Sequence, residues 1–212
     1  MSQWSAVAVG RFKPILFIAG LLPFARWFWL GFNDGLTANP LEFLTRSSGT
    51  WALVCLLVTL SITPVRRLLK QPALVRLRRP CGLFAFFYGA LHFTAWFWWD
   101  RGLDLASMVQ DIGERPFITV GFAAFVCMTA LAVTSTKWAM RKMGRHWQTL
   151  HRLVYLIGIL AIVHLWWHKA GKNDFEQPLI YGAILAALLG WRLVWRLRRP
   201  ATPSLRPPAT PS

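Results

Sequence analysis

Charge is scarce in this 212-residue chain: 15% of residues are Asp, Glu, Lys or Arg, where a soluble domain carries about a quarter. Acidic residues are the scarcest part, eight against 24 Lys and Arg, which leaves a formal net charge of +16. Three cysteines (Cys55, Cys81 and Cys127) are too few and too scattered for a disulfide framework or a zinc site. All three lie in or at the ends of apolar runs and read as core fillers. A Gly-rich phosphate loop, a dinucleotide fingerprint and a cysteine iron–sulfur motif are all missing, which excludes a nicotinamide or iron–sulfur module within this sequence. No cleavable signal peptide is evident either, because the first apolar run holds Pro23 and Arg26 and no small-residue cleavage pattern follows it. No internal repeat stands out.

Apolar bulk is what the sequence has instead, with 55% hydrophobic residues and 13 tryptophans. Six runs carry it: Pro14–Phe32, Gly49–Val65, Cys81–Trp99, Phe117–Thr136, Trp147–His168 and Pro178–Leu197. At about 1.5 Å per residue each is near the length that crosses a hydrocarbon core of roughly 30 Å. The runs lack the alternation of barrel strands, so closed backbone hydrogen bonding in lipid requires helices. The expected fold class is all-α integral membrane, a six-transmembrane-helix bundle over residues 14–199. Residues 1–13 precede it as a cytoplasmic N-terminus, and a Pro-rich cytoplasmic tail, 200–212, is expected to be disordered.

The loops set the expected orientation. Residues 64–80 and 137–146 are basic without a single acid, and Arg192, Arg196, Arg198, Arg199 and Arg206 follow near the C-terminus. All eight acids fall in the other three loops: Asp34 and Glu42; Asp100, Asp104, Asp111 and Glu114; Asp174 and Glu176. Lys and Arg excess marks the cytoplasmic side. Both termini are therefore expected in the cytoplasm and the three acid-bearing loops in the periplasm of a bacterial inner membrane. The basic residues are split among helix ends, where they meet anionic membrane lipid, and no room remains for a nucleic-acid-binding module.

Ionisable groups at membrane depth are expensive and point to function. His92 lies about 10 Å inside the periplasmic end of the third run, and His164 about 6 Å inside that of the fifth. Two imidazoles at one level on neighbouring helices suit axial ligation of a single heme iron. The plainer reading is that one of them only packs or hydrogen-bonds. His151 precedes His164 by thirteen residues, roughly 20 Å along the axis, and its side chain stands roughly 140° away unless Gly158 admits a bend. A second bis-histidine site would need a partner on the third run at Arg78 or Arg79, which is no normal heme ligand, so one complete site is expected. For His151 the open roles are a second cofactor, proton relay with a quinone, or alternative heme ligand. His168 shares a face with His164 and reads as interfacial beside Trp166 and Trp167, with substitute ligation as the sharper role; His146 reads as headgroup-facing. Arg26 either snorkels to the interface or pairs with a heme propionate.

Several stretches carry a family resemblance: GLLP at 20–23, LSITPVRR at 60–67, LH at 91–92, RPFITVG at 115–121, TST at 134–136, GRHWQTLHRLVYL at 144–156, His164, and QPLIY at 177–181. With these the chain resembles the heme-binding membrane subunits of bacterial MsrPQ protein-methionine-sulfoxide reductase systems, which belong with ferric-reductase-like transmembrane domains. The resemblance implies heme b between the third and fifth helices and cofactor-binding roles for His92, His151 and His164. It also implies electrons drawn from quinol and passed to the periplasmic molybdopterin enzyme MsrP, which itself reduces the sulfoxide in oxidised proteins. FMN is implied by the resemblance alone. A stand-alone ferric or cupric reductase is the competing reading. Such enzymes usually carry a fused flavin and nicotinamide domain, so a subunit is expected here. A transporter would show broken helices or repeat symmetry near the midplane.

Overall fold

The computed structural model describes residue 4 and residues 6–198; the tail at 200–212, expected to be disordered, lies outside them. Among the described residues there are α-helices and no strand. In chain order they are α1 (Ala6–Arg11), α2 (Lys13–Phe32), α3 (Pro40–Leu68), α4 (Arg78–Thr94), α5 (Leu105–Glu114), α6 (Pro116–Val133), α7 (Lys137–Met143), α8 (Arg145–Leu150), α9 (Leu153–Ala170) and α10 (Glu176–Leu197). A 3₁₀ segment, Pro72–Leu77, leads into α4, and a π-helical turn, Ala95–Asp100, continues it. Six of these stretches are long and apolar enough to cross a membrane; five contain their apolar run whole, and the fourth, Pro116–Val133, ends three residues before its run does. The protein is a multi-pass membrane protein.

The boundaries follow local chemistry. α3 begins at Pro40, nine residues before its apolar run, because Pro40 suits the first helical turn and the Asn39 side chain accepts the Glu42 N–H at 3.1 Å. The loops at 101–115 and 137–146 hold short helices that apolar runs do not reveal. α5 is capped by Asp104, which accepts the Ala106 N–H at 2.9 Å, and α7 by Thr136, which accepts the Ala139 N–H at 3.1 Å. The fifth span is broken at His151 and Arg152, where α8 gives way to α9. Gly158 does not make this break. It sits inside α9, where a Cβ would stand 3.1 Å from Leu185, so its use is close packing against α10.

α3 packs along α4 and α6 along α9, while α4 meets α6 and α3 meets α9. These four helices close a ring, and α2 and α10 flank it. One half of the ring is filled by Leu53, Leu56, Leu57, Leu60, Ala85, Val154 and Ile157, with Leu185 of α10 sealing it. The free thiols of Cys55 and Cys127 pack against this cluster. α2 docks on α4 through Gly20, where a Cβ would stand 2.6 Å from the Phe84 ring, and through the buried Tyr88 hydroxyl, which donates to the Gly20 carbonyl at 2.6 Å. The outward faces carry exposed Ile18, Trp29, Val126, Ile180 and Leu193, the surface expected against acyl chains.

Tyr88→Phe removes the hydroxyl that donates from α4 to α2 and keeps the ring that packs beside Trp27. It is expected to lower stability by about 1 kcal/mol, read as a fall of the apparent thermal midpoint of purified protein in detergent. An unchanged midpoint would show that ring packing alone seats α2.

Candidate functional site

Helical spacing brings His92 of α4 and His164 of α9 to one level inside the ring. Their ring centroids are 6.0 Å apart and their planes cross at 79°. His92 Nδ1 lies 2.8 Å from the Thr45 carbonyl, and His164 Nδ1 lies 2.7 Å from the Phe117 carbonyl. A carbonyl only accepts, so each Nδ1 carries the proton and each Nε2 keeps its lone pair for a ligand.

A glycine makes each of these bonds possible. In an α-helix the carbonyl of one residue is met by the N–H four positions on, whose Cβ leans back over that carbonyl. Four positions beyond Thr45 is Gly49, and four beyond Phe117 is Gly121. A Cβ at Gly49 would stand 3.0 Å from His92 Nδ1, and one at Gly121 would stand 2.6 Å from His164 Nδ1. Each imidazole therefore lies on bare backbone and reaches a helical carbonyl that a side chain would screen. Both bonds join residues 47 apart in sequence, and each histidine follows its glycine by 43. The ring thus contains the same clamp twice, α3 with α4 and α6 with α9, a repeat that sequence inspection missed. Its signal was present as two Gly–His pairs of equal spacing, 49/92 and 121/164.

The two histidines line one cavity of about 860 Å³, within the roughly 300–1,000 Å³ usual for ligand sites. Its inner wall is apolar, with Leu53, Leu56, Phe93, Phe125 and Met128, and its outer end is polar, with Arg46, Trp96, Arg115, His168 and Lys172. Along α9 the lining runs from Ala161 to Lys169, about 12 Å at the helical rise. Two imidazoles bound in line to one ion at about 2 Å, each with a ring radius of roughly 1.1 Å, place their centroids roughly 6 Å apart. Separation, tautomer, bare glycines and an amphipathic cavity all fit a heme held between α4 and α9. Among the described residues no three His, Cys, Asp or Glu side chains gather to hold a metal ion by themselves.

The other expected residues lie elsewhere. His151 does not line this cavity. It caps α8, stacks on Trp147 with centroids 3.8 Å apart, offers Nδ1–H to the Trp147 carbonyl at 3.0 Å, and sets Nε2 3.5 Å from the Ser135 hydroxyl. His168 does line the outer end, one turn beyond His164, whereas His146 is exposed at the start of α8. Arg26 is exposed and outside the cavity lining. The acid-bearing loops meet at this outer end. Lys172 reaches Glu42 at 3.4 Å, Arg101 holds Asp111 at 2.9 Å, and Lys169 donates to Asp174, which holds that loop carboxyl below the ordinary carboxylate range.

The family described as ferric reductase like transmembrane component matches residues 48–163, more than half of the chain. Curated proteins named protein-methionine-sulfoxide reductase heme-binding subunit MsrQ are similar over nearly the whole length. That of Bordetella pertussis (strain Tohama I) is 77% identical over 196 residues, covering 92% of this chain and 95% of the relative. That of Ralstonia nicotianae is 58% identical, covering 85% and 83%, and that of Xanthomonas campestris pv. campestris (strain 8004) is 44% identical, covering 97% and 98%. No solved structure matches the chain. With a ferric reductase-like ring of helices around paired imidazoles, and relatives of this identity over this length, the chain belongs to the MsrQ family of heme-binding subunits of protein-methionine-sulfoxide reductases.

Proposed function

We propose that this chain is the heme b electron-transfer subunit of a bacterial inner-membrane system. It draws electrons from the quinone pool and delivers them to a periplasmic molybdopterin methionine sulfoxide reductase, MsrP, for repair of oxidised periplasmic proteins. The observation that carries the reading is the pair of imidazoles 6.0 Å apart, each with Nδ1–H spent on a helical carbonyl. His92 and His164 are the axial ligands, and Thr45, Phe117, Gly49 and Gly121 fix their tautomer and orientation. A bound heme b supplies one-electron redox chemistry. Phe93, Phe125 and Leu53 line the apolar wall that would keep a bound heme dry, and the polar end of the cavity opens on the acid-bearing side. That side is periplasmic on the charge rule, which puts the outlet where a periplasmic partner docks. His151, at the other end of the fifth span, serves quinone chemistry or a second cofactor on the cytoplasmic side. FMN joins the proposal through family resemblance, and flavin release from purified protein checks it.

Purified protein is expected to give a reduced-minus-oxidised heme b spectrum, which His92→Ala or His164→Ala abolishes and His151→Ala leaves largely intact. A colourless wild-type preparation from heme-replete cells would sink the reading. Because the imidazole planes cross at 79°, the ferric protein should give a strongly anisotropic low-spin EPR signal; the rhombic signal of parallel imidazoles would contradict it. Gly121→Ala presses on His164 Nδ1 more closely than Gly49→Ala presses on His92. It is expected to weaken heme binding by roughly tenfold or more, with Gly49→Ala milder; the reverse order would contradict the clamp. Quinol-reduced protein mixed with the molybdopterin subunit should reoxidise faster than alone. No acceleration by that partner, with acceleration by ferric or cupric ions, favours a stand-alone metal reductase.

A further inference from the structure

Polar groups at the outer end of the cavity are left over after the axial clamp is accounted for. The Trp96 indole N–H is buried and has no acceptor among the described residues, yet Trp96 lines the same cavity as both ligands. It stands four residues beyond His92, about 6 Å further out along the axis. It lies within the π-helical turn Ala95–Asp100 that interrupts regular α geometry at this level, and such turns gather at functional sites. Across the opening, Arg46 follows the Thr45 clamp residue directly. Arg46, Lys169 and Lys172 line the cavity together with His168. Glu42 is shared by Arg46 and Lys172, and Asp174 takes Lys169. Four cations (Arg46, Arg115, Lys169 and Lys172) thus share one cavity lining with two carboxylates (Glu42 and Asp100), beside a buried donor with nothing to donate to among the described residues. An acceptor carrying negative charge completes this set.

We propose that Trp96, with Arg46 and Lys172, forms a carboxylate-binding mouth that takes the propionate edge of the heme and fixes which way round it sits. The inference rests on the axial-ligand reading and adds to it the residues that recognise the acidic edge. The apolar inner wall rejects a carboxylate, because burying that charge without partners is costly. The mouth accepts it with a donor and a surplus cation. The macrocycle's acidic edge is thereby turned toward the acid-bearing loops, and Trp96 becomes a positioning residue at the outlet.

The test uses the full-length apo chain, purified in detergent from heme-limited cells and titrated with heme b or with its dimethyl ester, which has no free carboxylate. Wild-type protein is expected to bind heme b about tenfold or more tightly than the ester, the scale of a hydrogen bond to a charged group. Trp96→Phe keeps the ring but loses the N–H. It should lose most of that preference and lower the heme midpoint potential, while its bis-imidazole spectrum stays intact. Arg46→Gln should move both readouts the same way. If wild-type protein takes the ester as tightly as the free acid, or Trp96→Phe keeps the full preference, this inference is overturned and the axial-ligand reading stands. Should Trp96→Phe misfold, the wild-type comparison of acid with ester decides. A wild-type chain that takes up neither form overturns the axial-ligand reading, and the mouth with it.

Discussion

An imidazole ligates a metal through a nitrogen that carries no proton, and in a membrane interior no water is at hand to hold the other nitrogen in place. Each of the paired histidines here solves this with a backbone carbonyl borrowed from a neighbouring helix. The carbonyl fixes the tautomer and the ring direction together. Reaching it requires that the residue one turn on have no side chain, which is the work of Gly49 and Gly121. Ring separation, cavity shape and the tight pairing of α3 with α4 and α6 with α9 all depend on that contact between imidazole and bare helix.

Repetition of the clamp explains the economy of the fold. Two helix pairs of equal internal spacing contribute one histidine each, and a ring of four helices encloses the space between them. α2 and α10 then add lipid-facing bulk and small points of attachment, such as Gly20 against Phe84 and Gly158 against Leu185. Because each imidazole is oriented by a helix other than its own, the pair exists only when both helix pairs are assembled. A group held between the two rings would therefore stabilise the folded ring by mass action.

Charge divides the molecule lengthwise. The acid-bearing loops close one end through Glu42, Arg46, Lys172 and the Arg101–Asp111 pair, and the cavity opens there. The other end carries arginines spread over aromatic rings, as Arg67 over Trp195 at 4.5 Å and Arg192 over Tyr155 at 5.4 Å. His151, stacked on Trp147, belongs to the fifth span near its junction with the basic loop, remote in sequence from the charged opening. The fifth span thus has one histidine in the cavity and another outside it, at the break at His151–Arg152.

Apolar length, loop charge and histidine depth were legible in the order of residues. They determined six helical crossings, the segregation of acids from bases, and the pairing of His92 with His164, because helical rise converts sequence number into depth. They also named His151 as a histidine apart, since thirteen residues of helix turn it away from His164. Tertiary structure decided the rest. Which carbonyls hold the imidazoles, why Gly49 and Gly121 carry no side chain, and how Trp96 comes to lack an acceptor are facts about contacts between helices. Helix-to-helix contact depends on rotation about each axis and on the distance between axes, and neither is written in the hydrophobic pattern of a chain whose helices are apolar on nearly every side.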